Sequence, residues 1–389
     1  MNIKECNTQQ QCGGCIYLEK EYDEQLKNKT KMVQELISKY VDKSIKVKDT
    51  IGMENPYNYR NKGKFAFGLN KNNKPVMGFF QAGTHKIIPF EGCIIQNDII
   101  NEVAKFTFEL IKKYKIMIYN EDTQKGFLRH IVIKYGIKTN EIMIIFVTTN
   151  AKMNKREEII KELLTKFPNI KTIVQNINEK QTNAILGNKN YNLYGNGYIV
   201  DYINGYKFKV SPLSFYQVNP VQTEKLYNTA IHLANLSGKE ILYDLYSGIG
   251  TISICASSKA KKVFGIEVVT DAVKDAKKNA EINNIKNVEF VSGKVEIVLP
   301  RLCKIWNKPD VVIVDPPRSG LDIKTLETLK QIKSKKIVYI SCNPETLALN
   351  LHELGKYYDI KEIQPVDMFP FTRHVEVCTL LELKNCQYI

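Results

Sequence analysis

The C-terminal half of the sequence alternates short apolar runs with stretches of helical periodicity. Runs rich in β-branched and apolar residues, each short enough for a buried strand, occur at 240–246, 262–267, 287–291, 311–314 and 337–340. Between the second and third runs, residues 271–283 have a helical pattern with acidic residues at its start. Strands that alternate with helices predict a parallel sheet in an open α/β domain.

Residues 45–200 have a different pattern, in which short alternating runs are separated by turns. The predicted strands are 64–69, 76–81, 85–89, 128–135, 141–148, 170–178 and 191–194. Two helical stretches interrupt them, near 97–113 and 154–167, and a Lys- and Glu-rich helix is predicted at 21–40. The pattern predicts three parts: an N-terminal segment (1–44), an α+β middle domain (45–204) and an α/β domain (205–389).

Polar residues follow two of the predicted parallel strands. The fourth run ends in Asp315-Pro-Pro-Arg318, and the fifth in Ser341-Cys342-Asn-Pro344. The carboxyl ends of parallel strands are where ligands bind in open α/β sheets. We therefore expect a carboxylate and a thiol to face one crevice, and Cys342 is predicted to be reactive.

A glycine-containing loop follows the first strand of this domain. Gly248 and Gly250 would let the backbone approach a ligand, and Glu267, about twenty residues on, is placed to bind ribose hydroxyls. The full G-x-G-x-x-G pattern is absent. The loop therefore suits a nucleoside cofactor that has no pyrophosphate.

Nine cysteines are present, with no secretion signal to support a disulfide framework. Cys6, Cys12 and Cys15 cluster in a Gln- and Gly-rich stretch, and Cys93 follows at a distance. Four such thiols suit either a tetrahedral zinc ion or an iron–sulfur cluster. The other five are Cys342 and four that are expected to be core or incidental residues: Cys255, Cys303, Cys378 and Cys386.

The composition is basic, with 56 Lys and Arg against 41 Asp and Glu, a net charge of +15. This charge suits a polyanionic partner such as RNA. No apolar run approaches membrane-spanning length, and the polar N-terminus lacks a signal-peptide core. We expect a cytoplasmic protein that does not bind membranes, and no obligate protein partner is evident.

Four motifs together resemble the RNA uracil-5-methyltransferase family. They are Phe215-Tyr-Gln-Val-Asn-Pro220, Asp315-Pro-Pro-Arg-Ser-Gly320, Ser341-Cys-Asn-Pro344 and His374-Val-Glu376. The resemblance implies a C-terminal Rossmann-like domain that uses S-adenosylmethionine, and a [4Fe–4S] cluster on Cys6, Cys12, Cys15 and Cys93. It also implies that the small β-barrel domain with which many members begin is missing here.

For catalysis, the resemblance implies a covalent mechanism. Uracil C5 is a poor nucleophile, and addition of a thiolate to C6 makes C5 reactive. Cys342 is the expected nucleophile, and Glu376 the expected base that removes the C5 proton. Arg318 and Arg373 are candidates to hold the base or neutralise the enolate.

For the cofactor, the resemblance implies contacts from Gln217, Tyr246, Thr251, Glu267 and Asp315. The family motif has Phe, Cys and Asn where this chain has Tyr246, Ser247 and Thr251. Tyr246 and Thr251 are retained as contacts, and Ser247 is not predicted to be one.

The expected substrate is 23S rRNA, because the cluster cysteines resemble the ribosomal branch of the family, with tRNA as the alternative. Arg60 and Arg129 are predicted to lie in loops that contact RNA, and Phe215 or Phe371 could stack on an unstacked base. Two other classes remain as alternatives: an iron–sulfur redox protein and a non-catalytic RNA-binding protein. An amino-methyltransferase is disfavoured, because those enzymes place an aromatic residue where Arg318 stands and need no cysteine nucleophile.

Overall fold

The computed structural model describes residues 6, 8–121, 123–180, 184–305 and 308–384. The chain forms two compact units, one from residues up to 19 with 56–202 and 209–213, the other from 20–55, 203–208 and 214–389. These boundaries differ from those predicted. The predicted N-terminal segment 1–44 is divided after residue 19, and residues 20–55 belong to the second unit.

Ten α-helices occur within the described residues. In chain order they are α1 (Gln9–Cys12), α2 (Tyr22–Ile37), α3 (Asp98–Lys113), α4 (Arg156–Lys166), α5 (Pro220–Ala234), α6 (Thr251–Ala256), α7 (Thr270–Ile282), α8 (Val295–Ile305), α9 (Ile323–Ile332) and α10 (Pro344–Leu354).

The same residues contain sixteen strands. They are β1 (Lys62–Leu69), β2 (Pro75–Phe80), β3 (Ile87–Pro89), β4 (Leu128–Gly136), β5 (Glu141–Thr148), β6 (Ile170–Ile177), β7 (Lys189–Gly195), β8 (Ile199–Ile203), β9 (Tyr206–Val210), β10 (Ile241–Leu245), β11 (Lys262–Glu267), β12 (Val288–Ser292), β13 (Val311–Val314), β14 (Lys336–Ser341), β15 (Tyr358–Val366) and β16 (Glu376–Leu383).

The first unit is built on a seven-stranded sheet in the order β3-β2-β1-β4-β5-β6-β7. Its pairs are antiparallel except β5 with β6, which α4 connects as a parallel crossover. One face of the sheet carries apolar residues such as Phe65, Ile131 and Phe146, and α3 and α4 cover it. The α+β character predicted for this part is therefore present.

The second unit contains a seven-stranded sheet in the order β12-β11-β10-β13-β14-β16-β15. The five strands from β12 to β14 are parallel, as the apolar runs predict. The last strand, β16, lies antiparallel between β14 and β15. A doubly wound sheet of this kind collects the carboxyl ends of its parallel strands at one edge.

Helix α2 packs against this sheet domain through a stripe of residues four apart. The stripe contains two apolar residues, Val33 and Ile37, and two polar ones, Gln25 and Lys29, all essentially inaccessible to solvent. The Lys29 ammonium donates to Asp367 Oδ1 at 2.6 Å and to the carbonyl of Phe369 at 3.1 Å. Gln25 Oε1 accepts from the Phe371 N–H at 3.0 Å. The helix therefore holds the segment that leads into β16.

Candidate active site

Three predicted site residues lie at the ends of adjacent strands. Val314 of β13 pairs with Tyr339 of β14, so Asp315 follows β13 beside the end of β14. Ser341 pairs with Val377, which places Cys342 next to Glu376, the first residue of β16. The sheet register therefore brings Asp315, Cys342 and Glu376 to one edge.

Cys342 is half-buried and lies beside acidic groups. Burial, followed by the charges of Glu376 and Asp315, raises the pKa of its thiol to about 11, while Arg318 acts in the opposite direction. The thiol is therefore protonated near pH 7 in the free protein. A proton acceptor must act before Cys342 can attack as a thiolate.

The two neighbouring carboxyl groups are unusually basic. Burial raises the pKa of Asp315 to about 7, with a further contribution from the charge of Asp244. Glu376 is 4% exposed, and burial followed by the charge of Asp315 raises its pKa well above the ordinary value. A carboxylate with a raised pKa binds a proton more readily than an exposed one, as a general base requires.

The turn that presents Cys342 is fixed by hydrogen bonds to the Asp315-Pro-Pro-Arg segment. Asn343 caps α10 by accepting from the Glu345 N–H at 3.1 Å, and its amide donates to the Arg318 carbonyl at 3.1 Å. The Arg318 guanidinium contacts His374 Nδ1 at 2.8 Å. Arg318 and Cys342 are thereby held in neighbouring turns.

The glycine loop is organised by Glu267. Its carboxylate accepts the backbone N–H of Gly248 at 3.0 Å and that of Val269 at 2.8 Å. Gly250 has φ +82°, and a Cβ atom there would lie 2.5 Å from Phe290 Cζ. The close approach and the positive φ both explain glycine at this position.

The polar groups beside this loop fit a nucleoside cofactor. Ser247 Oγ and Asp244 Oδ1 are buried and lack a hydrogen-bond partner among the described residues. The other oxygen of Asp244 accepts from the Ser253 N–H and hydroxyl at 2.9 and 2.6 Å. Val268 and Val269, each 55% exposed, follow Glu267 and offer apolar surface for a base. Ser247, which was not predicted to contact the cofactor, thus has, in the part of the chain that the structure describes, a free hydroxyl beside Gly248.

The other predicted cofactor residues lie in the same unit. Tyr246 has φ +66° and its hydroxyl lies 3.5 Å from Thr325 Oγ1. Thr251 is the first residue of α6, and its hydroxyl lies 3.0 Å from the Tyr227 hydroxyl. The charge of Asp315 contributes to the raised pKa of Tyr227, so Asp315 lies near this pair. Gln217 is 8% exposed and lies two residues before the Asn219 cap of α5.

Two of the predicted RNA contacts are wrong. Arg129 lies on β4 and is 5% exposed; its guanidinium binds Glu121 and the carbonyls of Asn178 and Lys180, so it is a structural residue. Phe371 is 2% exposed and packs against Tyr22, so it cannot stack on a base. Phe215, in contrast, is 66% exposed.

The four cysteines predicted to bind a cluster are all half-buried and lie in the first unit. Burial raises the pKa of Cys15 to about 12, and the charges of Cys93, Cys12 and Cys6 add to this effect, so the four thiols are close enough to interact. Within the described residues, no group of three or more Cys, His, Asp or Glu side chains has the geometry of a metal site.

The remaining cysteines have no evident chemical role. Cys255 and Cys378 are buried, as expected of core residues, and Cys303 is half-buried. Cys386 lies outside the described residues. In the described part of the chain, no helix is long and apolar enough to cross a membrane.

Comparison with known proteins agrees with this site. Residues 21–384 match the model of the tRNA (uracil-5-)-methyltransferase family. Curated relatives include uncharacterized RNA methyltransferases of Oceanobacillus iheyensis, 46% identical over 96% of this chain and 82% of the relative, and of Caldanaerobacter subterraneus, 45% identical over 97% and 83%.

A solved structure is also similar, that of the Pyrococcus abyssi tRNA (uracil-54, C5)-methyltransferase in complex with S-adenosyl-L-homocysteine. It matches with a TM-score of 0.77 and 29% identity, over 93% of this chain and 83% of that one. The family model and the relatives confirm the enzyme class predicted from the motifs. The chain therefore belongs to the tRNA (uracil-5-)-methyltransferase family of S-adenosylmethionine-dependent RNA methyltransferases.

Proposed function

We propose that the protein transfers a methyl group from S-adenosylmethionine to C5 of a uridine in RNA, through a covalent adduct between Cys342 and uracil C6. The observation that supports this most directly is the placement of Cys342 beside Glu376 and Asp315 at one edge of the sheet. A redox carrier or a non-catalytic RNA-binding protein would not need a thiol flanked by two carboxyl groups with raised pKa values.

The proposed reaction begins with loss of the Cys342 proton. Asp315, whose pKa is about 7, is a suitable acceptor at neutral pH. The thiolate sulfur then forms a bond to C6, and the C5–C6 electron pair moves toward the O4 carbonyl as an enolate. The charge of Arg318 lowers the pKa of Cys342, so this cation is close enough to stabilise the negative charge of the enolate.

When bound, S-adenosylmethionine would supply an electrophilic methyl group to C5 of the enolate, and S-adenosylhomocysteine would leave with the electron pair of the broken sulfur–methyl bond. C5 then carries both the methyl group and its original proton. Glu376 removes that proton, the C5–C6 double bond re-forms, and the bond from C6 to Cys342 breaks. Burial of Glu376 favours this step, because its raised pKa makes it a strong proton acceptor.

Trapping with 5-fluorouridine tests the nucleophile. Fluorine at C5 cannot leave as a proton does, so wild-type enzyme with S-adenosylmethionine and fluorinated RNA should form a stable protein–RNA adduct, visible on denaturing gels. Cys342→Ala should form none. Cys303→Ala, which changes a cysteine outside the site, should behave as wild type. An adduct with Cys342→Ala would disprove the assignment.

Substitution of the proposed base should separate methyl transfer from release. Glu376→Gln should still form the Cys342–C6 bond and transfer the methyl group, but should lose turnover by about 100-fold or more and accumulate adduct with ordinary RNA. Glu382→Gln, near the other end of β16 and 39% exposed, is the matched control. Wild-type turnover by Glu376→Gln would remove this residue from the mechanism.

Two RNA classes are candidates for the substrate. The cysteine motif favours 23S rRNA, and the similarity to the Pyrococcus abyssi tRNA methyltransferase favours tRNA. Mass spectrometry of 5-methyluridine in rRNA and tRNA from cells with and without the protein distinguishes them. Loss from 23S rRNA alone supports the first, and loss from tRNA alone supports the second.

We also propose that Cys6, Cys12, Cys15 and Cys93 hold a [4Fe–4S] cluster. The support is the proximity of the thiols, because the charges of Cys93, Cys12 and Cys6 raise the pKa of Cys15 and a cation between them would offset this repulsion. Such a cluster would join the loop that contains Cys12 and Cys15 to the part of the first unit that contains Cys93, and it would take no part in methyl transfer.

Iron and sulfide analysis of anaerobically purified protein tests this. Wild-type protein should contain about four irons with equal sulfide, Cys93→Ser should lose them and melt at a lower temperature, and Cys303→Ser should retain them. Stoichiometric zinc without iron would contradict the cluster and leave the Cys342 mechanism unaffected.

A further inference from the structure

The first unit contains a cavity of about 550 Å³ that has no part in the proposed chemistry. It lies between the end of β2, the β2–β3 turn and the start of β4, and Phe80, Gln81, His85, Arg129 and His130 contribute to its lining. Cavities that hold small ligands have volumes of about 300–1,000 Å³. The volume is therefore sufficient for a nucleotide.

The walls offer flat rings for stacking. Phe80 is half-buried and His85 is exposed, with ring centroids 5.8 Å apart and an interplanar angle of 66°. The ring of His130 lies 6.1 Å from that of Phe80 at 81°. Because both contacts are edge-to-face, neither histidine stacks flat on the Phe80 ring. Stacking on such rings is how proteins bind unpaired bases.

His130 also offers hydrogen bonds. Its side chain is 6% exposed and contributes to the cavity lining. Burial, together with the charges of Arg129 and Lys64, lowers its pKa to about 4, so the ring is neutral near pH 7. A neutral imidazole presents one donor and one acceptor, which suits the edge of a nucleobase.

Arg129 keeps the cavity wall in place. Its guanidinium binds Glu121 and the carbonyls of Asn178 and Lys180, so an ion pair and hydrogen bonds hold this part of the wall. Its Nε is buried and has no partner among the described residues. One buried donor of the lining is thus unsatisfied.

Positive charge lies on the same sheet face. Ala66 pairs with Gly78 of β2 and with His130 of β4, and residues two apart along a strand share a face, so Lys64, Phe80 and His130 are on one side. Lys64 is exposed. Arg60 adds charge near Lys64. A phosphate beside the cavity would meet these cations.

We propose that this cavity binds one unstacked nucleotide of the substrate RNA, distinct from the uridine that is methylated. The base stacks on Phe80 and packs against His85 at its side, its edge meets His130, and Lys64 binds the adjacent phosphate. This inference rests on the proposed function only in taking RNA as the substrate.

Steady-state methylation of RNA from cells that lack the protein is the test. Phe80→Ala and His85→Ala should raise the KM for that RNA by about tenfold, as loss of a stacking contact predicts, and leave the KM for S-adenosylmethionine unchanged. Tyr194→Ala, which removes a 41% exposed ring elsewhere in the same unit, should leave both unchanged. His85 is exposed, so its replacement keeps the fold, and melting curves of each variant check this.

Photo-crosslinking provides an independent measurement. The same RNA containing 4-thiouridine should crosslink to the tryptic peptide that ends at Lys86. Unchanged KM values in both variants, or crosslinks confined to the second unit, would overturn the cavity assignment while RNA methylation persists. Absence of 5-methyluridine formation by the wild-type protein would instead contradict the proposed function.

Discussion

At the scale of single residues, the protonation of Cys342 is set by its charged neighbours. Arg318 is the one group among the causes of its shifted pKa that favours the thiolate by charge. Arg318→Gln should therefore raise the pKa of Cys342 and reduce the thiolate fraction at pH 8. Each unit of pKa changes that fraction tenfold, so alkylation by iodoacetamide should slow by about threefold to tenfold.

Mass spectrometry of the peptide that contains Cys342 measures this rate across pH. In wild-type protein the rate should rise with pH up to about 11, because deprotonation follows the raised pKa. Arg301→Gln, which changes an exposed arginine of α8, is the control and should match wild type. Equal rates for Arg318→Gln and wild type would show that Arg318 does not influence the thiol.

Some residue positions can be predicted from sequence, and others depend on packing. Asp315 and Cys342 could be predicted because each follows an apolar run that reads as a strand. Arg129 was misjudged, because its partners, the carbonyls of Asn178 and Lys180, come from a loop about fifty residues later in the chain. The prediction for Phe371 was wrong for a similar reason, because the ring that packs against it belongs to Tyr22, far away in the sequence.

At the scale of secondary-structure elements, the buried pair Lys29–Asp367 fastens α2 to the segment before β16. Lys29→Met leaves the Asp367 carboxylate buried without its cation, which should lower the free energy of unfolding by about 3–5 kcal/mol. Lys29→Met combined with Asp367→Asn should recover part of the loss, since the unpaired charge is gone. Urea denaturation at pH 7 measures both.

Lys31→Met, on the exposed side of the same helix, is the control and should change the free energy of unfolding by less than about 0.5 kcal/mol. A loss as large as that of Lys29→Met would mean that helix α2 itself is sensitive to any lysine replacement. Equal stability of Lys29→Met and wild type would show that the pair does not hold α2.

Elements with clear periodicity could be predicted, and others required tertiary information. The parallel strands β10 to β14 carry continuous apolar runs, so their existence was evident. Strand β15 was missed because its exposed residues alternate irregularly around a bulge near Ile360. The β8–β9 hairpin was missed although Asn204-Gly205, both with positive φ, is a typical two-residue turn.

At the scale of the whole molecule, the net charge of +15 predicts salt-sensitive RNA binding. Release of counterions from phosphate makes affinity fall steeply as salt rises. The KM for RNA should therefore increase by at least about tenfold between about 50 and about 200 mM KCl. Kinetics at saturating S-adenosylmethionine measure this. As a control, calorimetry should show little change in the affinity for S-adenosylhomocysteine, whose binding involves no phosphate. A KM for RNA that does not depend on salt would exclude a major role for phosphate contacts.

The position of β16 inside the sheet has a consequence for synthesis of the protein. A nascent chain that ends before residue 376 contains β14 and β15, but not the strand that pairs with both. Two strand edges are then open to pairing with other chains, which favours aggregation. The same missing strand carries Glu376, so a prematurely terminated chain has the thiol without its partner carboxylate. Truncated copies released from the ribosome should thus be both inactive and prone to degradation.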